Sequence, residues 1–565
     1  MTSEKISGTT VLHRLGSFVA EDRAMLWLVV AFAILLGVLG LATPIAVQAL
    51  VNFVAFGGLM QPLIVIGLLL LFFLSLSGAI RLLKSYVVEL LQRRLFIRIA
   101  RGLSSRLPRV KLESHDKAYT PELVNRFFDV LTVQKTGSAL LIDGLDIALQ
   151  ATIGLVVLGF YHPFLLVFDA FLIASIAFIL FGLGRGALHS ARKESEAKYR
   201  VAAALEEIAH APVTHKLAGA ADFAENRLAN LTDAYLQVRR RHYGIVFRQL
   251  TGAVALHALA GTALLTLGGF LVIQGQLTLG QLVAAELIVS VALVSFVKFG
   301  KQLESFYDLL AGVDKLGVLF DLPLDEDRGE VHEGDGGPAS MELRNTSYAH
   351  AGHIMVLRDL SFRIAPGERV AMLGSRGSGK STITQILSGL RQPGSGIALF
   401  DGVDIREIAA RSIRRQLQVI HAVELVDGTI FDNVRLGREE VTSDEIRRAL
   451  RRFGILDELM TLPDGLNTRL SVRGDPLSHT TALLMMFARA TVGEPRAILV
   501  DSVLDELSGQ PLQQAVDGLQ SVETATLLVL TARDDIAIAM DRVESLPDPK
   551  MSKNDEDLHL AGGAA

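Results

Sequence analysis

The chain has 565 residues, half of them hydrophobic, and a mean hydropathy of +0.39, so it exceeds one ordinary domain and is too apolar to be wholly water-soluble. A formal net charge of −5 is small for this length and leaves no basic footprint for nucleic acid. The absence of cysteine excludes disulfides, thiolate metal sites and a cysteine nucleophile, and with it a fused cysteine-peptidase domain.

Residues 1–23 are polar, with neither an apolar core beside Met1 nor a small-residue cleavage site of the secretory kind, so the first apolar segment is expected to stay in the membrane. Six apolar stretches follow, near 24–48, 60–80, 138–160, 163–184, 250–274 and 279–300, each able to supply the ~20 helical residues that span a hydrocarbon core. Basic residues are distributed unevenly around them. Arg81, Lys84, Arg93, Arg94, Arg98 and Arg101 follow the second stretch, and Arg185, Arg192, Lys193, Lys198 and Arg239 to Arg241 follow the fourth. The short turns near 53–60, 161–163 and 275–279 carry none, which predicts a multi-pass protein with both termini cytoplasmic, a bacterial inner membrane being the expected location. The two long basic excursions have few helix breakers and are expected to continue the spans as rods beyond the bilayer.

Ionisable residues inside spans are expensive and often functional. Asp169, His257 and Glu286 are of this kind, and Asp143 and Asp146 sit near the inner end of the third span. Each reads either as lining a translocation path or, more plainly, as a hydrogen bond between packed helices or a position at the water boundary. Residues 321–340 are acidic and rich in Gly and Pro, without apolar periodicity, and read as a linker.

Beyond the linker, the apolar run Arg369-Val-Ala-Met-Leu373 reads as a buried strand and Ile383-Thr-Gln-Ile-Leu-Ser-Gly389 as a helix. Between them lies Gly374-Ser375-Arg376-Gly377-Ser378-Gly379-Lys380-Ser381-Thr382, a full G-x-x-x-x-G-K-[ST] phosphate loop in the context it requires. Its glycines let successive N–H groups converge on an anion, the helix N-terminus adds partial positive charge, and Lys380 and Ser381 are expected to meet the terminal phosphates and Mg²⁺. The expected ligands are therefore ATP and Mg²⁺.

Six spans, two long cytoplasmic hairpins, short outer turns and a C-terminal nucleotide domain resemble a half-size ABC exporter over nearly the whole chain. The resemblance implies a multidomain fold: an all-α six-helix transmembrane domain over 24–320 and an α/β P-loop nucleotide-binding domain over 341–546, with a disordered tail over 547–565. Tyr119-Thr-Pro-Glu-Leu-Val-Asn-Arg126 is similar to that family's first coupling helix, and Ala220 to Asn226 is a weaker candidate for the second. Met341-Glu-Leu-Arg-Asn-Thr-Ser-Tyr348 resembles the opening strand, where alignment puts His350 at the adenine-stacking position, against the plainer reading of a surface histidine. Asp501, ending Ala497-Ile-Leu-Val-Asp501, is expected to join Ser381 at Mg²⁺. Beyond Asp541-Arg-Val543 the closing hairpin of the family is missing.

Four positions depart from the family pattern. His421 replaces a metal-contacting glutamine. The signature is Leu477-Ser478-His479-Thr480-Thr481, in which Ser478 can still donate a hydroxyl to the nucleotide of an opposing domain. Ser502 stands where the resemblance expects the glutamate that polarises water, and Ala532 where it expects a histidine. Leu504-Asp-Glu506 supplies carboxylates expected to point elsewhere, so no residue is assigned a catalytic role. The resemblance implies a partner, a second half-transporter of the same or another kind, and two readings stay open: an asymmetric heteromeric exporter, or a non-hydrolysing homodimer that uses ATP as a structural or regulatory ligand. A faint similarity of the loop to type I secretion exporters does not identify the cargo.

Overall fold

The computed structural model describes residues 8–55, 60–116, 125–217, 219–325, 329–332, 334–350 and 354–546. The chain divides into two units, one of residues 1–108 and 118–322, the other of residues 109–117 and 323–565. The tail 547–565 and most of the coupling-helix candidate at 119–126 lie outside the described residues.

The first unit is helical. Among the described residues, His13–Val54, Met60–Arg109, Arg126–Gly159, Pro163–Leu183 and Ala221–Ile273 are long and apolar enough to cross a membrane, and the helix Leu279–Phe320 opens with the shorter apolar run Leu279–Val291. Met60–Arg106 has 47 residues and Ala221–Ile273 has 53. At 1.5 Å per residue these rods measure about 70 and about 80 Å, more than twice a hydrocarbon core of ~30 Å. In the longer rod Ala253, Leu256, Ala260, Leu264, Gly268 and Leu271 are buried at intervals of three or four, a single stripe facing its neighbours. Ala220 to Asn226 forms the start of this rod.

Within the span His13–Val54 the helix is interrupted: Arg23–Leu39 ends at Gly40, and a new helix, Ala42–Ala55, begins after a two-residue turn. Pro44 sits in the first turn of the new helix, where a missing N–H breaks no intrahelical bond. The glycines before the break serve close packing. A Cβ on Gly37 would lie 2.6 Å from Ile153 Cδ1, and one on Gly40 2.7 Å from Gln150 Nε2.

The intramembrane ionisable residues separate into two groups. Asp146 pairs with buried Lys84, whose ammonium also donates to Ile142 O at 2.9 Å, and Glu286 accepts from Ser290 Oγ at 2.6 Å. The first bond joins two packed helices, and the second lies within one helix. Asp169 Oδ1 and His257 Nδ1 are buried without a hydrogen-bond partner among the described residues.

The second unit contains the strands β1 (Met341–His350), β2 (Ile354–Ile364), β3 (Arg369–Leu373), β4 (Ser395–Phe400), β5 (Val403–Asp404), β6 (Leu417–Ile420), β7 (Gly428–Thr429), β8 (Arg469–Leu470), β9 (Ala497–Asp501), β10 (Thr526–Thr531) and β11 (Arg542–Ser545). They form an antiparallel sheet in the order β2-β1-β4-β5, a parallel sheet in the order β11-β3-β10-β9-β6 and the pair β7-β8. Every residue of β9 and β10 is buried, which is why their interiors, Ala497–Val500 and Leu527–Leu530, are apolar. The short segment 109–117 belongs to this unit. Lys111 N–H donates to Pro323 O at 3.0 Å, and Asp116 pairs with buried Arg391 at 2.7 Å.

In the helical unit, outside the apolar spans, three helices meet at a buried polar cluster. Tyr199 Oη donates to buried Asp129 at 2.5 Å, and Lys315 Nζ lies 3.3 Å from the centroid of the Tyr199 ring, with no hydrogen-bond partner among the described residues. Burial pushes the Lys315 amine down from 10.5 to about 7, against the opposing pull of Asp129. The unfolded chain therefore binds more protons than the fold between pH 7 and 10.5, so the Lys315 penalty is full below pH 7 and disappears as pH rises to 10.5. Lys315→Met should raise the thermal unfolding midpoint in detergent at pH 7, and this gain should shrink steadily toward pH 10; a pH-independent difference would contradict the assignment.

Candidate nucleotide-binding site

The site is assembled at the carboxyl ends of parallel strands, where α/β sheets hold ligands. Strand register places Leu530 beside Asp501 and Thr531 beside Leu373, so the ends of β3, β9 and β10 open on one crevice. From Leu373 the chain enters the loop: Gly374 N–H donates to Thr531 O at 3.1 Å, and Gly377 and Gly379 take φ of +84° and +92°, which favour glycine. The helix Lys380–Leu387 follows, its first internal bond running from Ile383 N–H to Gly379 O at 3.0 Å.

Two observations fit this loop to a polyphosphate. A Cβ on Gly374 would stand 2.5 Å from Ser378 Oγ, and one on Gly379 would stand 2.7 Å from Leu357 Cδ2, so glycine keeps the cradle open. Ser378 Oγ is buried within it and has no partner among the described residues. Ser375, Arg376 and Gly377 form its exposed crown, Ser381 is exposed at the helix start, and Thr382 is buried one residue on.

Lys380 is buried and donates to Gly374 O at 2.7 Å and Ser375 O at 2.9 Å. Burial lowers its pKa, while the carboxylates of Asp505 and Asp501 act to raise it. Two acids thus share the field of this ammonium, where the sequence pointed to one. Asp505 accepts from Ala532 N–H at 3.0 Å and from Thr531 Oγ1. The short 3₁₀ turn Val503–Glu506 returns the chain to the end of β10. Its neighbour Glu506 lies 3.0 Å from His479. Sequence reasoning excluded both acids by their distance from Asp501 along the chain, but the signal for Asp505 was that a tight turn brings the fourth residue back.

Ser502 stands at φ +59°, its Oγ 3.4 Å from Asp501 Oδ1 and its N–H donating to Leu530 O at 2.8 Å. Ala532 offers the crevice a methyl group and a backbone N–H already given to Asp505. His421, just beyond β6, pairs with Glu424 at 3.3 Å; this bond, with a further contribution from Asp501, raises the imidazole pKa above 6.5. Ser478 caps the helix His479–Thr491, accepting from Thr481 N–H at 3.1 Å and lying 2.7 Å from Thr481 Oγ1.

His350 ends β1, its ring edge-on to Tyr348 at 5.2 Å. The hairpin that carries it presses on the phosphate loop through Val356 and Leu357. Tyr348, buried, accepts from Arg391 at 3.0 Å, and Arg391 also holds Asp116. The sequence named Tyr348 only as the neighbour of His350 and gave no sign of Arg391.

Comparison with known proteins follows the division of the chain. Residues 26–296 match the ABC transporter transmembrane region and residues 357–505 the ABC transporter family model. A fatty acid ABC transporter ATP-binding/permease protein of Mycobacterium bovis is 32% identical over 269 residues, covering 46% of this chain and 42% of its own length. The mycobactin import ATP-binding/permease protein of Mycolicibacterium thermoresistibile is 30% identical over 49% of this chain and 47% of its own length. These matches thus span less than half of either relative. An uncharacterised ABC transporter ATP-binding protein of Bacillus subtilis is 23% identical over 92% of this chain and 87% of its own. In fold, the chain is similar to a bacterial Atm1-family ABC exporter with ATP bound, with a TM-score of 0.80, 20% identity, and coverage of 96% of this chain and 99% of that one.

Gly379→Ala forces a methyl group against Leu357 at a left-handed φ. Titration with a fluorescent ATP analogue should show affinity reduced by about tenfold or more, the scale of ~1.4 kcal/mol, and Lys380→Ala should do the same. Unchanged affinity in both would remove the loop as the nucleotide site.

Proposed function

The chain belongs to the ABC transporter family, and from that premise we propose that it is the catalytically slow, ATP-binding half of a dimeric membrane exporter. Integral membrane insertion, an ATP-binding domain and dimerisation come with the family; slow turnover, cargo export and an unlike partner are the proposal. So are a bacterial inner-membrane location and cytoplasmic termini, which the distribution of Lys and Arg supports. The observation that carries it is at the end of β9. Asp501 is followed by a hydroxyl, not a carboxylate, and the two acids that follow are engaged, Asp505 with Ala532 N–H and Glu506 with His479.

In this reading the backbone of 374–380 and Lys380 hold the β- and γ-phosphates, Ser381 and Asp501 hold Mg²⁺, and His350 stacks on adenine. When bound, Mg²⁺ would neutralise charge developing on the phosphates. Ser502 has no basicity at neutral pH, and losing a general base costs about 10² to 10⁴ in rate. A mixed dimer with an intact half-transporter leaves one site with a competent loop and base facing Ser478. That site could turn over, whereas a homodimer would pair two slow sites. The other reading, ATP as a structural ligand of a homodimer, predicts no turnover in either assembly.

Mg-ATP turnover of the purified chain, alone and with its co-purifying partner, should be measured against Lys380→Ala. Turnover in the mixed complex alone supports the proposal, and brisk turnover by the chain alone would sink it. Ser502→Glu should raise the rate of the isolated chain by at least about tenfold, within the range a general base supplies. His421 should weaken Mg²⁺ binding while it is protonated beside Asp501. Because Glu424 raises its pKa, the imidazolium persists above pH 6.5, and Mg²⁺ affinity should climb as pH rises through that raised value. His421→Gln should flatten this dependence in a Mg²⁺ titration of nucleotide binding.

A further inference from the structure

The helices Leu145–Gly159 and Pro163–Ala177 enclose between them a groove of about 610 Å³. Its walls are apolar, with Leu155, Val156, Phe160, Leu166 and Ile173 among them, and two side chains with polar atoms reach it, Thr152 and Asp169. Thr152 is committed, its Oγ1 donating to Ala148 O at 2.8 Å. Asp169 is not. It is 6% exposed, and its Oδ1 has no hydrogen-bond partner among the described residues.

Such a carboxylate inside a membrane span is costly unless a positive group reaches it. No Lys, Arg or His lines the groove among the described residues: Lys84, the buried lysine of the second span, is already held by Asp146, and the partnerless His257 stands outside the lining. A metal ion does not fit, because no cluster of three His, Asp or Glu that could hold one occurs among the described residues. The floor, by contrast, is shaped for access. Gly159 stands over the carboxylate, where even a Cβ would lie 3.5 Å from Asp169 Oδ2 and 3.0 Å from Leu166 Cδ1.

We propose that this groove binds lipophilic organic cations, with Asp169 as counter-ion and the apolar walls taking the body of the ligand. The volume suits a drug-sized molecule, the walls are apolar with few polar groups, as in small-molecule sites, and the Phe160 ring adds a face that attracts cations. A cation entering the groove also removes the cost of an unpaired carboxylate, a gain that a neutral ligand of the same shape cannot obtain.

The test uses the full chain in maltoside micelles without nucleotide, so its failure leaves the reading of the phosphate loop intact. Binding of tetraphenylphosphonium and of uncharged triphenylphosphine oxide would be measured by equilibrium dialysis. The wild-type chain should favour the cation by about tenfold or more, the scale of ~1.4 kcal/mol for a partly buried ion pair. Asp169→Asn, nearly isosteric, should abolish that preference, and Gly159→Leu, which fills the floor while leaving the carboxylate in place, should weaken both ligands. Equal affinity for the two ligands in the wild-type chain overturns the proposal, as does a preference that survives Asp169→Asn. If Asp169→Asn fails to fold by thermal unfolding, Gly159→Leu decides: undiminished cation binding there refutes the site.

Discussion

Backbone N–H groups at the start of a helix have no carbonyl of their own to bond, and the nucleotide half is arranged around one such set. The loop 374–380 holds these groups at the mouth of the parallel sheet. The sheet supplies fixed edges to either side: Leu373 on β3, Thr531 on β10 and Asp501 on β9. Lys380 donates to loop carbonyls and lies in the field of Asp501 and Asp505. The positive field that attracts phosphate is therefore balanced by two acids. Moving any one of the three strands would displace the groups that set this balance.

The same constraint bears on the residues just past the strands. After β9 the chain carries the hydroxyl of Ser502, and after β10 the methyl of Ala532. Neither side chain belongs to the loop 374–380 or to a strand, so on the proposed reading binding and chemistry are separable. Asp505 ties Thr531 and Ala532 together at the edge of β10.

In the helical unit the organising cost is that of charge away from water. Lys84 is paired, Glu286 is bonded one turn along its own helix, and the Asp129, Tyr199 and Lys315 cluster shares its charge among three helices. Asp169 stands apart as a buried carboxylate with an unused oxygen beside an apolar groove. That contrast gives it a meaning that its position in the sequence does not.

Local chemistry fixed a good deal of this protein before any coordinates. The loop 374–382 was legible because backbone convergence on phosphate demands glycine at set intervals, β3 and β9 because buried parallel strands are mostly apolar, and the membrane half because a hydrocarbon core demands long apolar runs. Tertiary structure decided what depends on residues far apart in sequence. Gly37 approaches Ile153 closely, and Gly40 approaches Gln150. The pairing of Lys84 with Asp146 separates a structural acid from Asp169, and the turn after β9 returns Asp505 to the field of Lys380. Arg391 bonds both Tyr348 and, 275 residues away, Asp116. Periodicity and spacing report which face of an element is buried, but the partner that meets it is chosen only when the chain has folded, because packing and charge pairing are set by distance in space.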